Sequence, residues 1–422
     1  MKKRRYKATN VKQVNWEVVA AQTQGQRIIF GIDVAKEEFF AVLMKIDQSV
    51  IETIKWMHPQ QTRILSAHLQ NDLKCSRLEV VLEPSGTYGD ALRHYLSELG
   101  FSMYQISPKR VHDAAEVYDG VPSLHDAKAA YLIGRLHLEG VSKPWQALSD
   151  SRREQQALIA ELELFESGRQ RNLNRLEASL SRHWPELTQL QSLRRINLLS
   201  LIGEYGSPQE VAAHRSDAQQ LMRRIGRGQL NADKVQQVLD SSETTLGVPC
   251  TEGECHFLQI LGRELVRGHQ QVQEIKHRIE QAIADDIVLK QMAQVVGKTT
   301  SLVLDATLGT PLDYPNPHSY LKALGLNLKE RSSGKHKGQL KITKRGPGKA
   351  RAYLYFAALR LLYRDRVIGT WYQNKVKRDG DLKIKAIVAI MRKLTLALWH
   401  IARGEVFDSR KLFNTRTLGL TV

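Results

Sequence analysis

From residue 27 the hydrophobic pattern becomes that of β-structure. "RIIFGIDVAKEEFFAVLMKI" carries two apolar runs rich in β-branched and aromatic residues, divided by a short polar turn, and this predicts a β-hairpin. "RLEVVLEP" predicts a third strand that ends at Glu83 and Pro84. It leads through "SGTYGD" into "ALRHYLSELG", a helix closed by Gly100, and "FSMYQISP" predicts a further short strand. In "LHDAKAAYLIGRLHLEG" the apolar residues recur at helical spacing up to a glycine stop at Gly140. Strands alternating with helices across 27–148 predict one α/β domain of ordinary length.

Past residue 150 the chain turns polar, with sparse apolar positions at Leu158, Leu162, Phe165, Leu173, Leu176 and Leu180. A second series follows at Leu261, Leu265, Val272, Ile275 and Ile279. Each predicts a long helix with a narrow seam. The seams suit two arrangements, pairing within the chain or a coiled-coil arm between two subunits. Residues 190–256 between them show no clear period. After residue 290 come a compact helical region, a basic loop, and two strongly apolar helices, "ARAYLYFAALRLLYRD" and "IKAIVAIMRKLTLALWHIARG", which predict the core of a second domain. The expected organisation is a basic N-terminal arm at 1–26, the α/β domain at 27–148, coiled-coil helices at 149–290, and a mainly α-helical C-terminal domain at 291–422.

Charge narrows the partners. Against 44 Asp and Glu, the 422 residues include 62 Lys and Arg, a formal net charge of +18, so the surface carries broad positive potential. A polyanion is the expected partner, and nucleic acid is favoured over membrane because neither a long apolar span nor a signal-peptide core is visible. A cytoplasmic location follows as an expectation. Three cysteines are too few for a disulfide framework, and "CTEGECH" lacks a second ligand pair for zinc.

Carboxylates supply the candidate chemistry. Asp33 and Glu83 stand at the ends of two apolar strands, and Asp126 opens a helix. Acids so placed converge at one sheet edge, where they can hold two magnesium ions for phosphoryl transfer, the ribonuclease H-like arrangement. Each residue also has a purely structural reading. Asp33 suits a hairpin turn, Glu83 a strand end, and "SLHD" a capping box with Ser123 at the N-cap and Asp126 at N3.

The motifs "GIDVAKEEFFAVLM", "VVLEPSGTYGDAL" and "HDAKAAYLIGRL", followed far downstream by "ALGLNLKERSSGKHKGQLKITKRGPGKARAYLYFAAL" and "IVAIMRKL", together resemble the insertion sequence 110 family of DEDD transposases. Relatives of that family include the Piv-type DNA invertases. The likeness covers both ends of the chain and is weakest at about 190–256, which looks like an insertion. It implies an N-terminal α/β RuvC-like domain of ribonuclease H-like fold with four acids, a helical coiled-coil middle, and a C-terminal transposase domain bearing a catalytic serine. It further implies recombination of DNA, at element ends and target, by a homo-oligomer (dimer or tetramer), guided by a structured noncoding RNA with Mg2+ or Mn2+ as cofactor.

Carried over residue by residue, Asp33, Glu83 and Asp126 match the first, second and last acids. Where the family pattern has its third, this chain has Ser123, a poor metal ligand; Asp119 and His125 are the neighbours able to substitute. Ser333, followed by Gly334, matches the catalytic serine, with Ser332 its close competitor. Without the family pattern both read as serines in a solvated lysine-rich turn. Around them Lys335, Lys337, Lys341, Lys344, Arg345, Lys349 and Arg351 are expected to meet phosphate. Two other functions use the same residues differently. A metal-dependent nuclease or junction resolvase would activate water instead of serine, and a degenerate nucleic-acid-binding protein would need the charge alone.

Overall fold

The structure, a computed structural model, describes residues 7–84, 86–226, 231–330, 338 and 340–413. The chain divides into two units, 1–148 and 149–422.

The first unit is built on one sheet. Its strands are β1 (Thr9–Asn10), β2 (Arg27–Asp33), β3 (Glu38–Lys45), β4 (Val50–Met57), β5 (Arg77–Leu82), β6 (Ser102–Gln105) and β7 (Lys143–Pro144), in the order β1-β4-β3-β2-β5-β6-β7. β2, β3 and β4 form an antiparallel meander, while β5 and β6 run parallel to β2. That central order, with a three-strand meander leading into two parallel strands, is the ribonuclease H-like arrangement. The hairpin expected from residue 27 is present; the strand β4 and the pieces before residue 27 are additions.

Helices cover both faces: α1 (Trp16–Thr23), α2 (Thr62–Asn71), α3 (Asp90–Glu98), α4 (Pro108–Asp113) and α5 (Asp126–Leu138). Alternation along β2 sorts the faces. Ile28, Phe30 and Ile32 enter one core with Trp56, Leu65 and Leu92, and Ile29 enters the other with Val42, Met44, Val81 and the buried side of α5. The expected basic arm is corrected here. Val11, Val14, Trp16 and Val19 are buried in the first core, and β1 pairs with β4, so the segment from Thr9 onward belongs to the domain because its apolar side chains have a sheet face to cover.

The second unit is mostly helical. The two seams close on each other within the chain: α6 (Asp150–His183) packs along the distant helix α12 (Glu252–Ala284). Leu158 and Leu162 share one core with Val272, Ile275 and Ile279, and Leu173, Leu176 and Leu180 share another with Leu258, Leu261 and Leu265. Between them α7 (Pro185–Leu190), α8 (Ile196–Tyr205), α9 (Pro208–Ala213), α10 (Arg215–Ile225) and α11 (Ala232–Glu243) fold onto the second of these cores around Trp184. The remainder comprises α13 (Ile287–Val296), α14 (Lys298–Leu308), α15 (Pro317–Ala323), α16 (Gly348–Arg364), α17 (Arg366–Arg378), α18 (Lys383–Ile401) and α19 (Ser409–Leu412), with a two-stranded piece, β8 (Leu328–Lys329) and β9 (Lys341–Ile342). α14 touches α6 and α12 as well as α16, so packing runs on across residue 290 rather than dividing there. Among the described residues no helix is long and apolar enough to cross a membrane.

Candidate active site

Strand register places the first two acids. Ile32 pairs with Leu82 across the parallel strands β2 and β5, so Asp33 and the next residue after β5, Glu83, leave the sheet side by side at one edge. Asp33 lies on the same face as Ile29 and Gly31, and Glu83 on the same face as Val81, because side chains two apart point the same way. Ile29 and Val81 pack against α5, so both carboxylates stand on the face that α5 covers.

Gly31 sets how closely that helix approaches. A Cβ at Gly31 would lie 2.6 Å from both the Ala130 carbonyl oxygen and the Gly134 nitrogen, so only glycine lets the two backbones meet. From Ala130 back to Asp126 is one helical turn, about 6 Å. From Gly31 to Asp33 is two strand residues, about 6.6 Å. Asp126 therefore reaches the edge where Asp33 ends.

Electrostatics record the convergence. The Asp33 carboxyl is pushed up to about 7, first by burial, then by the charges of Glu83 and Asp126, against a lowering hydrogen bond from the Val34 N–H. Carboxylates close enough to raise one another's charging cost favour a cation nearby, and an all-oxygen donor set suits Mg2+ or Mn2+. As they stand, no three His, Cys, Asp or Glu side chains among the described residues are gathered closely enough to enclose an ion. Asp126 is the exposed member and so the one with most rotamer freedom to adjust.

The expected capping box is corrected. His125, extended at φ −121° and ψ 159°, is the N-cap of α5, and its Nδ1 accepts the Lys128 N–H at 3.3 Å. Asp126 is then the first helical residue, not the N3 residue, and Ser123 lies exposed ahead of the helix. Ahead of the helix, Lys128 Nζ donates to the Val121 carbonyl at 2.7 Å and to the Asp119 carboxylate at 2.8 Å. Of the residues able to replace the third acid, Asp119 is thus ion-paired and His125 caps the helix. The sequence reading missed Lys128 and the Gly31–Gly134 approach. A glycine inside an otherwise apolar strand was the available signal for the second.

Ser333, its neighbour Ser332, Lys335 and Lys337 lie outside the described residues. β8 and β9 pair at Leu328↔Ile342 and Lys329↔Lys341, so the two ends of that stretch are drawn together. Lys341, Lys344 and Arg345 are exposed just beyond it. Lys349 pairs with Glu163 at 2.6 Å, and Arg351 donates to the Gly346 and Leu324 carbonyls at 2.8 and 3.0 Å, so these two anchor the start of α16.

Residues 341–413 hold eighteen Lys and Arg against five Asp and Glu, so most of the chain's positive excess sits in this one stretch. Phe356 and Tyr363, two turns apart on α16, are 60% and 91% exposed. Exposed rings beside cations are what unpaired nucleobases stack upon.

Residues 30–185 match a model of DEDD transposases of the IS110 type, described as transposase, and residues 289–373 match a model described as transposase of the IS116/IS110/IS902 family. Neither match extends over residues 186–288. No curated protein matches the chain.

Proposed function

Because the chain belongs to the insertion sequence 110 family of transposases, we propose that it cuts and rejoins DNA through a covalent serine intermediate formed at a metal-dependent acidic site. DNA is the substrate class, and divalent-metal dependence comes with a DEDD-type transposase domain. The observation that supports the reading best is the meeting of Asp33, Glu83 and Asp126 at one sheet edge, with Asp33 pushed up to about 7 by burial and by the other two.

In this scheme Asp33, Glu83 and Asp126 would hold Mg2+ or Mn2+. When bound, the ion polarises the phosphodiester and favours the alkoxide of an attacking hydroxyl. Ser333 Oγ attacks phosphorus and gives its proton to water, and the P–O bond to the leaving strand breaks as that oxygen takes a proton from water. The phosphoserine linkage conserves the bond, so attack by the hydroxyl of a new strand releases Ser333 and rejoins DNA without an external energy source. Lys341, Lys344 and Arg345, with Lys335 and Lys337, neutralise phosphate and the charge that develops on it. Phe356 and Tyr363 stack against unpaired bases of DNA or of a structured guide RNA. Ser123 leaves three acids in place of four.

The test is to incubate the protein with DNA carrying element ends, its guide RNA and Mg2+, and then to denature. A protein–DNA adduct that Ser333→Ala abolishes and Ser332→Ala does not is the expected result. Free cut ends without adduct would assign the chemistry to water, as in a RuvC-like nuclease. Intact DNA under all conditions would mark a binding protein with a degenerate site.

A further inference from the structure

Lys128 is in an unusual place for a lysine. Its side chain is 3% exposed, and it lies in the first turn of α5, where the helix dipole disfavours a cation. A buried ammonium needs partners, and Lys128 has two on the segment leading into the helix, Asp119 at 2.8 Å and the Val121 carbonyl at 2.7 Å. The segment is held by polar contacts more than by burial. Asp119 also accepts the Val121 N–H at 3.0 Å, and one residue earlier the Tyr118 hydroxyl reaches Glu139 at 2.8 Å with its ring 3.7 Å under the Arg135 guanidinium. By contrast Val117, Val121 and Leu124 are exposed. One side chain thus ties Asp119 and Val121, on the approach 119–125, to the helix that carries Asp126.

We propose that Lys128 is a positioning residue for the acidic site: gripping Asp119 and Val121, it fixes the strap 119–125 along the first turn of α5, holds Asp126 in line with Asp33 and Glu83, and keeps Asp119 out of the ion's coordination. The strap carries Ser123, so the place of the third acid is filled by a latch instead of a ligand. This inference rests on the metal-site reading above. It goes beyond that reading in giving Lys128 and Asp119 a role in positioning Asp126.

The test measures Mn2+ binding to the full-length protein by electron paramagnetic resonance, together with amide hydrogen exchange over 119–128. Lys128→Met and Asp119→Asn are each expected to weaken Mn2+ binding about tenfold, the usual consequence of losing a partner just outside a ligand set. Both should speed exchange in the strap. The double variant should be no worse than either single change, and Lys128→Arg should restore most of the affinity. Asp119→Asn, at a more exposed position, keeps the test open if Lys128→Met does not fold. An Asp119→Asn protein that loses Mn2+ as completely as Asp33→Asn would make Asp119 a ligand and overturn the latch. So would unchanged Mn2+ affinity in Asp119→Asn alongside loss in Asp33→Asn. Full Mn2+ binding by Asp33→Asn would instead remove the metal site itself, and the latch with it.

Discussion

Replacing Asp33 by asparagine should stabilise the first unit while it abolishes the chemistry. The exchange keeps the side chain's shape and an oxygen for the Val34 N–H, and it removes a charge that burial, Glu83 and Asp126 all oppose. A carboxyl raised from 3.8 to about 7 corresponds to about 4 kcal/mol at full ionisation. Asp33 is only half-buried, so solvent screening brings the expected effect to about 2 kcal/mol. The sign follows from proton linkage. Between 3.8 and about 7 the folded state holds the proton that the unfolded state has lost, so wild-type stability falls as pH rises through that window and then levels off. The asparagine side chain cannot titrate. The variant's advantage should therefore be near zero at about pH 4 and complete by about pH 8, where it reads as roughly 4–8 °C in Tm. Calorimetry in EDTA across this range measures it, resolving the transition of the first unit. Adding Mg2+ should raise the wild-type Tm by mass action and leave the variant unmoved. A variant no more stable than wild type at high pH, or an advantage that does not change with pH, would refute the convergence of the three acids.

Other outcomes follow from packing. Gly31→Ala pushes a methyl to 2.6 Å from the backbone of α5, and should cost about 3 kcal/mol and weaken Mn2+ binding, as thermal melts and metal titration would register. Burial opposes the charge of Glu79, which is 1% exposed, but Arg27 at 2.6 Å and His137 at 2.8 Å outweigh it and hold the acid below its usual range, and Arg77 also pairs with it at 2.8 Å. Glu79→Gln should destabilise by about 3–5 kcal/mol in urea unfolding at neutral pH, with the deficit shrinking as pH falls through the acid's own lowered value. Leu265→Ala should cost about 2–5 kcal/mol. Because that seam closes within the chain, its unfolding midpoint should not depend on protein concentration, as light scattering and melts at two dilutions would check.

Much of the first unit was legible because its signals are local. The hairpin at 27–45 shows as two apolar runs on either side of a polar turn, and Gly100 and Gly140, at φ 84° and 74°, end their helices as glycines that take the left-handed conformation. β4 was missed because "VIETIKWM" breaks its alternation, and its partner β3 shifts register between Leu43 and Met44. Residues 190–256 carry no single period because their helices are short and bury against several neighbours at once. Residues 9–23 read as an arm for a related reason: four apolar side chains mean little until a sheet face exists to receive them.

Residue order by itself determined the positively charged surface, the succession of strands and helices, and the acids at two strand ends and one helix start. Each of these depends on residues a few positions apart. Tertiary structure decided that the two seams bury against each other within the chain, because α6 and α12 are joined by a helical segment that folds back on both. It also decided that Lys128, invisible as a signal in "DAKAA", is buried and bonded to Asp119 and Val121. Above all it decided that three acids spread over 94 positions share one edge. Their distance follows from the register of β2 with β5 and from two glycine backbones in contact, Gly31 and Gly134, and neither is encoded by neighbours along the chain.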